Sequence, residues 1–148
     1  MQLKHTMKTF SGFTLIEVLI VLSMVSILAS LAYTSYSGSL EKSRRADAKR
    51  ALLGAAGEQE RWYLRENVYT PLMDDIGGDE SPDGHYTLVA VNSIDGNACA
   101  DQLCFTITAT ATVGGLQAGD DDCQRFTIDN LGRRRAYDSG AVENEDCW

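Results

Sequence analysis

The chain has 148 residues, with 13 Lys and Arg against 21 Asp and Glu and a formal net charge of -8. That length holds one ordinary domain with one appended element and excludes a second full domain. Lys42, Arg44, Arg45, Lys49, Arg50, Arg61 and Arg65 stand against five acids over 41–66, whereas four Arg stand among fifteen acids after Glu66. An acidic back half excludes a surface that wraps nucleic acid or anionic lipid non-specifically.

A short stretch carrying Lys4 and Lys8 precedes an apolar run over 13–33, in which Glu17 is the one charge. As a helix this run spans about 32 Å, close to the roughly 30 Å hydrocarbon core of a bilayer. A secretory signal peptide has a shorter apolar region ahead of its cleavage site, so the run reads as one membrane span. An ionised carboxylate inside hydrocarbon costs about 2.5 kcal/mol or more and commonly has a partner. The run holds no Lys, Arg or His. The partner is therefore a proton, the headgroup region or a positive charge on another chain.

Residues 35–67 lack proline, and Leu40, Ala48, Leu52, Ala55, Ala56, Trp62 and Tyr63 recur at helical spacings. The helix is expected to continue out of the membrane, with Ala48, Leu52, Ala55 and Tyr63 covering a globular core. Gly54 and Gly57 permit close approach of a neighbouring element at a cost of up to about 1 kcal/mol each. Arg44, Arg45, Lys49 and Arg50 form either a solvated face or a contact for acidic neighbours.

Pro71, Gly77, Gly78 and Pro82 mark 67–84 as a surface loop with turns. Three strand-like runs follow, at 85–91, 104–113 and 123–130, rich in Val, Thr, Ile and aromatic residues. Leu131-Gly132 signals a turn, and 133–137 supplies a short fourth strand. The expected architecture is α+β, an antiparallel sheet packed on the long helix. Cys99, Cys104, Cys123 and Cys147 suit two disulfides and an oxidising compartment. With no C-x-x-C pair and only His85 nearby, a zinc site is set aside.

Past the N-terminal stretch His85 is the one histidine, and neither a phosphate loop nor a paired-carboxylate motif stands out. Neither a catalytic residue nor a cofactor is assigned, and the chain is not expected to be an enzyme. Asp120, Asp121 and Asp122, with Glu143, Glu145 and Asp146, are read as solvated acids rather than as calcium ligands. Arg133, Arg134 and Arg135 are the candidate contact for DNA or another ligand, set against the ordinary use of basic residues to protect an edge strand. Nucleic acid is not the expected partner.

The run GFTLIEVLIVLSMVSILASLAYTSY, from Gly12, resembles the N-terminal signature of type IV pilins and pseudopilins. The stretch SRRADAKRALLGAAGEQERWYLRENVYT, over 43–70, resembles the helix of PilE-like minor pilins. The resemblance implies the type IV pilin fold: a long N-terminal helix, transmembrane in its first half, packed against a C-terminal antiparallel sheet. It divides the chain into a cleaved leader (1–12), a transmembrane and filament-core helix (13–33), its amphipathic continuation (34–67) and an acidic β head (68–148). A prepilin peptidase is then the partner that cuts between Gly12 and Phe13 and methylates the new amine. Glu17 becomes the residue that guides a subunit into the helical filament by pairing with a neighbour's N-terminus. Thr34 follows Tyr33 where the family commonly has proline. Counting Lys42, Arg44, Arg45, Lys49 and Arg50 by the positive-inside rule would place the head in the cytoplasm. The cysteines and the resemblance instead place it in the periplasm, on a single-pass inner-membrane subunit that later reaches the cell-surface pilus. Four cysteines allow three pairings. Cys99–Cys104 would close the loop between the first two strands, and Cys123–Cys147 would staple the C-terminal loop as pilins do. The implied function is a structural minor pilin; the alternatives are a pseudopilin of a type II secretion system and a minor pilin whose head binds DNA or a surface ligand.

Overall fold

A computed structural model describes residues 12–148, with the side chains of 32–35 left aside. Of the expected leader, only Gly12 lies among the described residues. One helix, α1 (Leu15–Glu66), carries the chain out of its N-terminal segment. The chain divides into two compact units, Met1–Gly38 and Ser39–Trp148.

In the first unit every residue from Gly12 to Leu31 is exposed. The most apolar 18-residue window reaches a mean hydropathy of 2.5, so this helix is long and apolar enough to cross a membrane. Its few hydroxyls are satisfied within the helix. Ser23, Ser26 and Ser30 donate to the carbonyls of Ile20, Ser23 and Ile27 at 2.7, 2.8 and 2.8 Å, the local solution that an apolar surrounding demands.

In the second unit, strands β1 (Tyr86–Val91), β4 (Thr106–Ala111), β5 (Arg125–Asp129) and β6 (Arg134–Tyr137) form an antiparallel sheet in the order β1-β4-β5-β6. Strand alternation sends Tyr86, Leu88, Ala90, Ile107, Ala109, Phe126, Ile128 and Ala136 to one face. On α1, Ala48, Leu52 and Ala55 recur at helical spacing and are buried in the same core, with Tyr63 partly buried against it. Met73–Ile76, a 3-10 turn in the 67–84 loop, adds Met73 and Ile76. Gln59 is buried where α1 meets this loop, and its amide donates to the Thr70 carbonyl at 2.5 Å and accepts from the Thr70 amide at 3.1 Å.

Disulfides join Cys99 to Cys104 and Cys123 to Cys147. Between β1 and β4, where a plain loop was expected, the chain forms a hairpin, β2 (Ser93–Ile94) and β3 (Asn97–Ala98). Asp95-Gly96 makes the turn. Both take positive φ, 50° and 79°, as a primed two-residue turn requires, and Asp-Gly is a favoured pair for it. The strands are only two residues long, too short for alternation to announce them.

Candidate functional site

At the start of α1, Phe13 is 83% exposed. The Glu17 backbone amide donates to Thr14 Oγ1 at 3.3 Å. Thr14-x-x-Glu17 has capping-box spacing, which also sets the carboxylate in the first turn at the positive end of the helix dipole. The bond to Thr14 uses the Glu17 backbone, so what the side chain adds locally is its charge in the first turn.

The basic cluster on α1 is engaged within its own chain. Arg45 donates through Nε and Nη2 to the two oxygens of Asp120, each at 2.6 Å, and the two side chains are 13% and 2% exposed. Asp120 also accepts from the Gln117 amide and, at 3.2 Å, from the Cys123 backbone amide. It is therefore not the solvated acid expected of the 120–122 run. Its bonds to Asp120 hold the Arg45 guanidinium above its ordinary pKa. Arg50 pairs with Asp83 at 2.7 Å, and Arg44 donates to the Leu116 carbonyl at 3.3 Å. Lys49 lies 6.0 and 5.9 Å from the rings of Phe126 and Trp148, and burial followed by the Arg45 charge lowers its pKa.

Strand geometry splits the run of three arginines. Arg134 sits 5.7 Å from the Trp148 ring, on the side where Trp148 meets Phe126 edge-on. Arg133 and Arg135 instead converge on one carboxylate, that of Asp95 at the β2–β3 turn. Arg133 Nη1 is 3.1 Å from its Oδ2, and Arg135 Nη1 donates to Oδ1 at 2.6 Å. Asp129 ends β5 and organises the turn into β6: one oxygen accepts the amides of Leu131 and Arg133, each at 3.0 Å, and the other accepts Arg133 Nε at 2.6 Å. Arg135 Nε lies 3.8 Å from Glu143. The bonds from Arg135, then Arg133, hold the Asp95 carboxyl below the usual carboxylate range, and both guanidinium groups are raised. These groups line an open polar cleft of about 220 Å³, completed by Thr106, Thr127 and Tyr137.

The C-terminal segment covers the free edge of β6. The Asn144 amide donates to the Ala136 carbonyl at 2.8 Å, and Trp148 Nε1 donates to the Arg135 carbonyl at 2.6 Å. The Cys123–Cys147 bridge holds this segment in place.

A family model described as type IV minor pilin ComP, DNA uptake sequence receptor, matches residues 34–127, well over half the chain. The chain belongs to this family of type IV minor pilins. A model of the prokaryotic N-terminal methylation motif matches residues 7–33 of the minor pilin, over the Gly12, Phe13 and Glu17 segment. The non-core minor pilin PilV of Neisseria meningitidis shares its fold, with a TM-score of 0.52 at 16% identity over 70% of this chain and 93% of that one. A type IV pilin from Shewanella oneidensis is 25% identical over 73% of this chain and 97% of that one, with a TM-score of 0.49. No curated protein sequence is detectably similar. In this minor pilin Asp95 and Asp129 stood out by nothing among the fifteen acids after Glu66, and Asp120 had the look of a solvated acid. Asp95-Gly96 was a visible turn signal, whereas the pairing of Asp120 with Arg45 spans 75 positions and left no local trace.

Proposed function

We propose that this minor pilin is a structural subunit, not a catalyst, that enters the type IV pilus filament through the apolar helix over 13–33. A prepilin peptidase cuts between Gly12 and Phe13 and methylates the new amine. Before assembly the subunit spans the inner membrane once, with its head in the periplasm. The observation that carries this reading is an apolar helix exposed along 15–31, with its single acid in the first turn, inside a methylation-motif match. Such a surface needs lipid first and other helices afterwards. Glu17→Ala is expected to leave membrane insertion intact while lowering the amount of subunit in sheared filaments. Normal incorporation of that variant would remove Glu17 from assembly.

A second reading concerns the head. The matching family model carries the description of a DNA uptake sequence receptor, and the head carries an open cleft lined by Arg133 and Arg135 with Asp95 and Asp129. On this reading the head binds DNA once displayed on the filament. Anisotropy of a labelled duplex titrated with the full chain in neutral detergent tests it at low salt, where phosphate contacts are strongest. Unchanged anisotropy at saturating protein would end it.

A further inference from the structure

We propose that Arg133 and Arg135 form a phosphate-binding site that the chain keeps filled with its own Asp95 carboxylate, so that a DNA backbone phosphate must displace the β2–β3 turn to bind there. This rests on the DNA reading of the head and deepens it.

Two guanidinium groups close on one small acid, at 2.6 and 3.1 Å. Arg and carboxylate match in geometry, but Arg and phosphate match equally well, and a phosphate offers more acceptors. One donor has no acceptor: Nη2 of Arg133 is buried without a hydrogen-bond partner. Asp95 and Asp129 together leave this donor of Arg133 unserved, and a phosphate brings more acceptor oxygens to the pair than the Asp95 carboxylate does.

The occupant is placed on a movable element. Asp95 is the tip of a hairpin whose strands hold two residues each, and Asn97 and Ala98 are exposed. Thr106 Oγ1 donates to the Ser93 carbonyl at 2.6 Å, and the Cys99–Cys104 bridge tethers the far end. At the tip, Asp95 pairs with Arg135 of β6 and with Arg133 just ahead of that strand. The Asp95 side chain is 45% exposed, and ion pairs that exposed are weak and screened by salt. Elements with few buried apolar contacts open locally at low cost. Lifting the tip releases Nη1 of both arginines, over a cleft of about 220 Å³ already open to solvent, while Arg133 Nε stays on Asp129.

The arrangement also accounts for a receptor that is acidic overall. An uncovered pair of arginines would attract any polyanion. Covered by Asp95, they respond to a ligand already held by other contacts, which trades affinity for selectivity.

The test measures DNA binding by the full chain in neutral detergent micelles, by anisotropy across a salt series. Asp95→Asn removes the charge and keeps the turn, because Asn-Gly serves the same primed turn as Asp-Gly. It is expected to tighten binding about fivefold, the order of two exposed ion pairs that no longer need breaking. Asp79→Asn, which removes an equal charge elsewhere, is expected to change binding less than about twofold. The double variant Arg133→Gln/Arg135→Gln is expected to weaken binding and flatten the log-log salt slope by about 1.8, for two lost phosphate contacts. In that background Asp95→Asn is expected to do nothing further. An Asp95→Asn gain that persists without the arginines, or that Asp79→Asn reproduces, shows net charge alone and overturns the site. DNA binding that ignores all these changes overturns the site but keeps the DNA reading. Absence of binding by every variant at low salt ends both.

Discussion

Asp120→Ala should be among the most damaging single changes in the head. The Asp120 side chain is 2% exposed and accepts two bonds of 2.6 Å from Arg45, one from the Gln117 amide and one from the Cys123 amide. The substitution strands a guanidinium that is 13% exposed. Breaking a buried pair by removing one partner costs about 3 to 5 kcal/mol, because the other charge stays buried and uncompensated. Unpaired Gln117 and Cys123 donors act in the same direction. For a unit of this size the loss corresponds to a fall in Tm of roughly 10 to 20 °C. Near-UV circular dichroism of the full chain in detergent follows the tertiary packing and reads the transition. Replacing both partners by apolar residues, Arg45→Met with Asp120→Leu, should recover most of the loss, since two apolar groups leave no orphaned charge. A fall in Tm below about 4 °C for Asp120→Ala, near 1 kcal/mol, would refute the buried pair as a determinant of stability.

Cys123→Ser with Cys147→Ser opens a bridge of sequence separation 24 and should cost about 3.5 kcal/mol on the chain-entropy model, measured by urea denaturation. It should also uncover the β6 edge, seen as faster proteolysis of the C-terminal segment. Leu52→Ala, at a fully buried helix position, should cost about 2 to 5 kcal/mol in the same assay. Burial, and then the nearby Glu60 charge, push the Tyr69 hydroxyl up to about 12. Its neutral form is favoured on folding, so the contribution is complete below pH about 10, the unfolded value, and is lost as pH rises towards 12. Tyr69→Phe should flatten the fall in stability over that alkaline window, and an unchanged pH profile would count against the effect.

The long helix was legible because its signals are local and long: an unbroken apolar run, then small and apolar residues at helical spacing without proline. The three longer strands were legible from β-branched and aromatic content, although each observed strand is shorter than its run because flanking residues turn away. Cys104 and Val113, for instance, lie outside β4 (Thr106–Ala111). The basic face of α1 resisted reading for the opposite reason. Whether Arg45 meets solvent, a neighbour or its own chain depends on where Asp120 falls, which only the packed head decides. The three arginines look like one patch in sequence, but the two-residue period of a strand separates Arg134 from Arg133 and Arg135. Asp95, unremarked among fifteen acids, gains its significance from a turn that carries it across the sheet to meet them.

The central claim is that the apolar helix with Phe13 at its head is processed and then built into a filament. Mass spectrometry of the protein recovered from sheared surface filaments, set beside the membrane pool, tests it most directly. The account predicts a chain beginning at a methylated Phe13 in the filament fraction. An uncut chain confined to the membrane would contradict it.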